Sequence, residues 1–261
     1  MRETAIGRDI FCLAVPFMDV FTSVFLIRTP KGALLFDTAS TEVDIREGVL
    51  PWLRSRNVSA EELKYVFVSH AHEDHAGGLA ALLPAFPALC AVSLSEKLRE
   101  RCGEGRFRLP REDERLLGCL RVIPIPGHTA DSAALLDART NTLISGDCLQ
   151  MHGLFGAGKW GAAIPHPAAH RAALARLRQI DIQTVVTAHD YHPLGQIYRG
   201  AEEIDAMLSA CLAPLDRIES LIAAHPEMSD GEICALYNSA PQTPALSSHV
   251  VRGVRRDMAL I

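Results

Sequence analysis

A dense cluster of histidine and acidic residues behind an apolar segment is the feature that most constrains this chain. The segment Tyr65–Val68 is predicted to be a buried strand, and residues 70–75, with the sequence HAHEDH, follow it almost at once. Three histidines and an aspartate within six residues are costly in a half-buried position unless they have partners. Neutral imidazole and ionised carboxylate are ligands of zinc and other divalent first-row metals. The cluster therefore predicts a metal site at a strand end.

Three more candidate ligands lie just past other apolar segments. They are His128, Asp147 and His189, so four separate parts of the chain place metal-ligating groups at predicted strand ends. Each ion would then have three or four protein ligands and room for solvent, as catalytic rather than structural sites do. Two ions about 3.5–4 Å apart can share a hydroxide whose parent water has a strongly lowered pKa. The pattern predicts a two-metal hydrolytic centre.

The predicted ligands divide between two adjacent metal positions. His70 and His72 are two residues apart, so in an extended segment both side chains project to the same side. Asp74 is the candidate catalytic residue, because it is the one ligand carboxylate not shared between the ions and can carry a proton to the leaving group. We predict that metal 1 is held by His70, His72 and His128, that metal 2 is held by Asp74, His75 and His189, and that Asp147 bridges both.

This pattern resembles the motifs of the metallo-β-lactamase superfamily over roughly the first 190 residues. The segments Pro126–Thr129 and Ser145–Asp147 strengthen the resemblance, as does Asp37-Thr38 after an early strand. The resemblance implies an α/β fold, an αββα four-layer sandwich with the metals at one edge of the two sheets. It also implies that Asp37 orients a histidine ligand.

Two departures narrow the branch of the family. A histidine rather than a glutamate stands at His72, unlike the flavodiiron branch, and Asp147 stands where the best-known true β-lactamases have a cysteine. The site is more similar to those of hydroxyacylglutathione hydrolases, acyl-homoserine lactonases and related esterases or thioesterases. The resemblance therefore implies a metal-dependent hydrolase that cleaves a small ester, thioester or lactone.

The metal and the substrate charge follow from the ligand set. Histidine–carboxylate sites accept zinc, iron or manganese, and we expect zinc. Two divalent ions carry four positive charges against three negative ones on Asp74, Asp147 and hydroxide, which favours an anionic acyl substrate.

Two other activities stay open on the same scaffold. Two-metal sites also suit in-line phosphoryl displacement, so a phosphodiesterase or nuclease is the main alternative. The net charge of −5 argues against it, because nucleic-acid binding usually needs a basic face. A mononuclear iron sulfur dioxygenase is the third hypothesis, although its relatives use fewer ligands around one metal.

Three side chains are candidates for the substrate pocket. Phe17 lies in the connection between two predicted strands, and Trp160 lies in a glycine-rich segment over residues 149–165. Tyr191, two residues past His189, is a candidate donor to a developing oxyanion. Ordinary packing in the core is the alternative for all three, and His152, His166, His170 and His192 are weaker candidates for a substrate contact.

Composition and sequence pattern limit the compartment and the partners that we expect for this protein. No apolar run approaches the roughly 18 residues that a membrane-spanning helix needs, and the N-terminus lacks an apolar signal segment. The seven cysteines are odd in number and scattered, and without a Cys-x-x-Cys pair they support neither a zinc knuckle nor a thioredoxin-like motif. We expect most of them to be small buried side chains in a reducing compartment. We therefore expect a cytoplasmic protein with no nucleic-acid or membrane partner, and a homodimer stays open.

The order of predicted elements suggests how the chain is organised. Strands and helices alternate up to about residue 195, and helices follow, so we predict a catalytic core over residues 1–195 and a helical extension over 196–261 that packs on it. Capping-box spacings at Ser59 and Ser229 each predict a helix start. Pro214 is predicted to separate two helices over Ile197–Ala213 and Leu215–Ala224.

Overall fold

The computed structural model describes residues 1–18, 20–111, 114–151, 161–191, 195–240 and 245–260. The chain divides into two compact units. Unit 1 comprises Met1–Ile123 and Ala133–Thr140, and unit 2 comprises Pro124–Ser132 and Asn141–Ile261. The predicted core over residues 1–195 and extension over 196–261 stay a prediction.

Unit 1 contains a seven-stranded sheet whose strands follow one another in sequence order. The first four strands pair antiparallel, and the last three join them in parallel. Parallel neighbours need a crossover connection, and short helical segments supply it here. The strands are β1 (Arg2–Ala5), β2 (Ile10–Phe17), β3 (Val20–Thr29), β4 (Gly32–Phe36), β5 (Leu63–Phe67), β6 (Cys90–Val92) and β7 (Phe107–Arg108).

The helices of unit 1 are short and bury their apolar side chains with those of the sheet. Ile45, Leu53 and Leu79 belong to one buried core cluster with Leu26 and Leu35. The helical segments are Asp44–Val49, α1 (Leu50–Ser55), α2 (Glu73–Ala76), α3 (Leu79–Leu82), Leu83–Ala85, Glu96–Leu98 and α4 (Arg99–Cys102). The helix predicted to start at Ser59 is wrong: Ser59 Oγ accepts the Glu62 N–H at 3.1 Å, but residues 60–62 form only a turn before β5.

A second sheet of six strands completes the α/β fold. In unit 1, β8 pairs antiparallel with β9, and in unit 2, β12 pairs in parallel with β11 and antiparallel with β13. Its strands are β8 (Arg115–Leu116), β9 (Leu120–Pro124), β10 (Ala133–Asp137), β11 (Thr142–Ile144), β12 (Thr184–Val186) and β13 (Ile197–Arg199). The predicted α/β class with two sheets and a helical C-terminal region is confirmed.

Among its described residues, unit 2 contains four helices. Ile164, Leu215, Ile233 and Val251 are among the residues of a buried cluster that α6 to α8 share. The helices are α5 (Pro167–Leu177), α6 (Gly200–Ala224), α7 (Asp230–Asn238) and α8 (Ser248–Met258). Among the described residues, no helix is both long and apolar enough to cross a bilayer.

The helix boundaries of unit 2 confirm one prediction and correct another. The capping box at Ser229 is present, with Ser229 Oγ accepting from Glu232 N–H and the Glu232 carboxylate accepting from Ser229 N–H. The prediction for Ile197–Ala213 is wrong at its start, because Ile197–Arg199 pair as β13 and α6 begins at Gly200. Pro214 does not divide the helices either, since α6 continues through it.

Candidate functional site

The predicted ligands of unit 1 follow β5: His70 and His72 precede α2, and Asp74 and His75 lie within it. The strand ends at Phe67, and the chain then presents His70, which is fully buried, and His72, which is exposed. Their ring centroids are 4.5 Å apart, and those of His70 and His75 are 4.4 Å apart. The imidazoles predicted from the motif are therefore brought together, with Asp74 Oδ2 3.2 Å from His75 Nε2.

One buried carboxylate organises this set. Asp37 follows β4, is fully buried, and accepts three hydrogen bonds: Oδ1 from the Ser69 N–H at 2.7 Å, and Oδ2 from the Ser69 hydroxyl at 2.9 Å and from His75 Nδ1 at 2.7 Å. Burial raises the pKa of Asp37, whereas His75 and the bonds from Ser69 oppose that rise by favouring the charged form. A buried carboxylate with these donors fixes the histidine beside it.

Ser69 extends the influence of Asp37 to a second histidine. The Ser69 hydroxyl hydrogen points to Asp37 Oδ2, so the hydroxyl oxygen is left to accept from His70 Nδ1, 3.0 Å away. Both His70 and His75 then carry their proton on Nδ1, which makes Nε2 the unprotonated nitrogen of each ring. The sequence analysis identified Asp37 but missed Ser69. The position of Ser69 directly before His70 could have indicated its role.

Two glycines behind the cluster allow close packing of the backbone. A Cβ at Gly77 would lie 1.9 Å from the Ser40 carbonyl oxygen, and one at Gly78 would lie 2.2 Å from the Thr38 oxygen. In addition, Thr38 N–H donates to the His75 carbonyl at 2.7 Å. The turn after Asp37 is therefore packed directly against the backbone that carries His75.

The predicted ligands of unit 2 come from three separate connections. Asp147 follows β11, His189 follows β12, and His128 follows β9; each is less than a tenth exposed. Asp147 Oδ1 lies 3.0 Å from His189 Nε2, and its Oδ2 lies 3.7 Å from His128 Nε2. The two carboxylate oxygens thus face two different imidazoles, which suits a carboxylate that is shared between two cations.

His128 has its tautomer fixed by the backbone. Its Nδ1 donates to the Ala163 carbonyl at 2.8 Å, which leaves the Nε2 lone pair toward Asp147. The neighbouring Gln150 is buried and bonds to both Asp147 and Ala163. Sequence reasoning missed Gln150; a polar residue between Leu149 and Met151, three positions after a ligand, was the available signal.

A buried histidine supports the loop of His128 from α5. His170 is fully buried, and a Cβ at Gly127 would lie 2.5 Å from its Nδ1. Neither ring nitrogen of His170 has a hydrogen-bond partner among the described residues. Burial, assisted by Arg171 and His128, lowers its pKa to about 4, so the ring is neutral. His170 thus packs within the fold, and its weaker role as a substrate contact stays a prediction.

The remaining predicted pocket residues have varied environments. Phe17, at the end of β2, is half-buried. Tyr191 is fully buried, and burial, with Asp147 nearby, raises its pKa well above 10. Trp160, together with His152 and His192, lies outside the described residues. Their role as substrate contacts stays a prediction.

The donor set fits divalent metal ions. Three histidines donate Nδ1–H to a carboxylate, a hydroxyl or a carbonyl, and metal-ligating histidines commonly do this because it leaves Nε2 for the ion. Asp74 and Asp147 add oxygen ligands, and two imidazoles with a carboxylate are typical of zinc or iron sites. These side chains are therefore suited to hold divalent metal ions.

Comparisons with known proteins agree with these features. Residues 18–96 match the family model of the metallo-beta-lactamase superfamily. A hydroxyacylglutathione hydrolase from Gloeobacter violaceus is 35% identical over 133 residues, covering 50% of this chain and 50% of that protein. An atrochrysone carboxyl ACP thioesterase from Emericella nidulans is 22% identical over 219 residues, covering 81% of this chain and 68% of that protein.

The likeness in sequence covers only part of several relatives, whereas the likeness in fold to a solved structure is more extensive. The chain spans 66%, 41% and 43% of the length of three further curated relatives, among them lactamase-like proteins. A crystal structure of a metallo-beta-lactamase family protein from Thermus thermophilus superposes with a TM-score of 0.67 at 17% identity. The superposition covers 98% of this chain and 95% of the Thermus thermophilus protein, so the likeness in fold extends along nearly the whole chain.

Proposed function

We propose that this chain is a dinuclear metal-dependent hydrolase of acyl substrates. Its resemblance to the metallo-β-lactamase superfamily is confirmed by the family match, and the solved structure shows the same fold. The observation that carries the proposal is the orientation of the imidazoles. His70, His75 and His128 each have Nδ1 engaged by a fixed partner, which prepares Nε2 for a cation. Metal-ligating histidines are commonly held in this way.

The proposed centre has two metal positions and one bridging carboxylate. His70, His72 and His128 hold metal 1, Asp74, His75 and His189 hold metal 2, and Asp147 bridges, as the motifs of the family imply. The two oxygens of Asp147, each facing a different imidazole, support the bridging role. When bound, two divalent ions supply Lewis acidity and a water of lowered pKa.

The chain's own residues contribute orientation and proton transfer. Asp37 and Ser69 hold His70 and His75 in one tautomer. Asp74 is partly exposed, with 13% of its side chain accessible, and so can exchange a proton with a leaving group. The buried positions of His70 and His75 keep bulk water from competing for them.

The proposed substrate is a small thioester, ester or lactone, with a thioester placed first. Two relatives are named as an ACP thioesterase and a hydroxyacylglutathione hydrolase, and both names denote cleavage of an acyl thioester. The excess positive charge of two divalent ions over their carboxylate ligands supports an anionic acyl group. Zinc is the proposed metal, and the imidazole and carboxylate donors also suit iron or manganese.

The test combines metal analysis with a substrate panel. Purified chain is loaded with zinc, iron or manganese, its metal content is measured, and thioester, p-nitrophenyl ester, lactone and bis-p-nitrophenyl phosphate substrates are assayed. We expect two ions per chain and turnover of an acyl substrate. His72→Ala should lower kcat/KM by at least about a hundredfold, because a lost ligand removes several kcal/mol of transition-state stabilisation. The exposed His249→Ala is the matched control.

The same panel separates the alternatives. Turnover of the phosphodiester in preference to every acyl substrate would replace the proposal by a phosphodiesterase. A single iron per chain, with oxygen consumption on a persulfide substrate and no hydrolysis, would replace it by a sulfur dioxygenase.

A further inference from the structure

We infer that Gln150 is a positioning residue that fixes His128 and Asp147 relative to each other through Ala163. The inference concerns a residue that lies outside the ligand motifs, and it rests on the proposed function for its effect on metal. Gln150 is only 6% exposed, and both ends of its side-chain amide are engaged within unit 2.

The orientation of the Gln150 amide follows from its partners. The Ala163 N–H can only donate, so the atom 2.6 Å from it must be the amide oxygen Oε1. The amide nitrogen Nε2 then faces Asp147 Oδ2 at 3.3 Å, and an ionised carboxylate can only accept. Each partner therefore demands the same orientation, and no flipped alternative satisfies both.

These bonds continue through Ala163 to the imidazole. Gln150 accepts from the Ala163 N–H, and the Ala163 carbonyl accepts from His128 Nδ1 at 2.8 Å. His128 Nε2 in turn lies 3.7 Å from Asp147 Oδ2, the oxygen that Gln150 contacts. The contacts form a closed ring from Asp147 through Gln150, Ala163 and His128 back to Asp147.

The ring gives Gln150 two separable roles. Its oxygen anchors the backbone that selects the tautomer of His128, and its nitrogen donates to one oxygen of Asp147 while the other faces His189. A carboxylate and an imidazole from two different connections are thereby held by one side chain. Groups that orient metal ligands from outside commonly change metal affinity 10–100-fold, roughly, when they are removed.

The experiment uses Gln150→Met and Gln150→Glu with cobalt(II) as the probe ion. Methionine has a similar shape but no hydrogen bonds, whereas glutamate keeps an acceptor for the Ala163 N–H and places a negative charge against Asp147. Cobalt(II) titrations are followed by visible absorption, which reports the ligand geometry of each ion, and zinc affinity is measured against a chelator. The kinetic constants for the acyl substrate are recorded in parallel.

A second glutamine provides the matched control. Gln183 also donates from Nε2 to a carboxylate, that of Asp181, but it is exposed and lies directly before β12. Gln183→Met and Gln183→Glu repeat the same chemical changes away from the ligands, and they should leave the cobalt spectrum and the zinc affinity unchanged.

We expect Gln150→Met to weaken one of two bound ions by about 10–100-fold and to change its visible spectrum. Gln150→Glu should perturb the spectrum as well, through Asp147 rather than through His128. A parent-like spectrum and affinity in both variants would overturn the inference. Should neither variant fold, side-chain amide exchange in the unsubstituted protein decides: slow exchange of the Gln150 NH2 group supports the ring, and exchange as fast as that of Gln183 overturns it.

This result is distinguishable from failure of the proposed function. A parent chain that binds two ions and hydrolyses an acyl substrate, with unaffected Gln150 variants, refutes only the ring. A parent chain that binds cobalt without hydrolysing any acyl substrate refutes the proposed activity, while the spectral change in Gln150→Met still tests the positioning role.

Discussion

The ligand sets of the two units are built by opposite means. In unit 1, four predicted ligands lie within residues 70–75, and the buried carboxylate of Asp37 orients two of them. In unit 2, three ligands come from three connections, and a buried side chain and a backbone carbonyl tie two of them together. The first set depends on local sequence and one buried acid, whereas the second depends on contacts between distant segments. Substitutions should therefore damage the two sets in different ways.

Gly77→Ala should have the largest effect, and it acts on unit 1. Its Cβ would meet the Ser40 carbonyl oxygen at 1.9 Å, and backbone cannot move aside as a flexible side chain can. We expect a loss of about 3 kcal/mol or more in the free energy of unfolding, at the upper end of overpacking costs. Urea unfolding of the metal-free protein measures it.

Gly231→Ala is the control for this prediction, because it makes the same change in helix α7 with no atom closer than 4.0 Å to the new Cβ. It should be neutral or slightly stabilising. Equal stability of Gly77→Ala and Gly231→Ala would show that the backbone behind His75 is not tightly packed.

Asp37→Asn should weaken metal binding by about 10–100-fold, because Asp37 orients two of the predicted ligands. An asparagine that accepts from the Ser69 N–H through its oxygen turns its NH2 group toward His75 Nδ1. The imidazole must then accept at Nδ1 and carry its proton on Nε2, where it cannot bind a cation. Zinc competition with a chelator measures the effect, and Asp44→Asn, at a carboxylate that accepts from the Thr41 N–H, is the control. Unchanged affinity would refute the role of Asp37.

Gly127→Ala should have an intermediate effect on unit 2. The new Cβ would meet the His170 ring at 2.5 Å, so we expect a loss of about 1–3 kcal/mol. His170→Ala should recover part of that loss in the double variant, because it removes the ring atoms that clash while the His170 Cβ, 2.7 Å from the new Cβ, remains. Thermal unfolding of the parent, the two single variants and the double variant gives the coupling energy. Gly7→Ala is the control, because its new Cβ would have no other atom within 4 Å. Strict additivity would contradict the packing of His170 on this loop.

His170→Met should have the smallest effect at neutral pH, because its contribution appears only in the pH dependence. The pKa of His170 is about 4 in the folded chain, below its ordinary value of 6.5, so the unfolded chain takes up the proton first. Its contribution to stability is present above pH 6.5 and is lost as the pH falls towards 4, at up to about 1.4 kcal/mol per pH unit. The variant should lack this slope. The free energy of unfolding of the parent and of His170→Met is measured against pH, with a chelator present to keep both proteins metal-free. Parallel curves for the two proteins would contradict the prediction.

The contrast between the units also explains what the sequence could predict. The motif at residues 70–75 is recognisable because its ligands are adjacent and its strand is strongly apolar, and Asp37 follows from the resemblance. The links through Ser69, Gln150 and Ala163 depend on which groups meet in space, which no spacing rule gives. The packing role of His170 was missed for the same reason, since an apolar environment is visible only in the fold.

The errors in the predicted elements have equally local causes. At Ser59 the capping-box residues close a turn, because the strand that begins at Leu63 competes for the residues a helix would need. Pro214 was predicted to end a helix on local chemistry, yet α6 continues through it and buries Leu215 and Ile218. Tertiary packing outweighs the local preference there.

The sharing of Asp37 by two histidines has a consequence for how metal content can change. His70 and His75 are assigned to different ions, yet a single proton acceptor sets the orientation of both, directly for one and through Ser69 for the other. Occupancy of the two positions should therefore rise and fall together when this acid is altered. Converting the protein to a single-ion form, by drift or by design, would have to act on a ligand assigned to only one ion, such as His72 or His128, rather than on that acid.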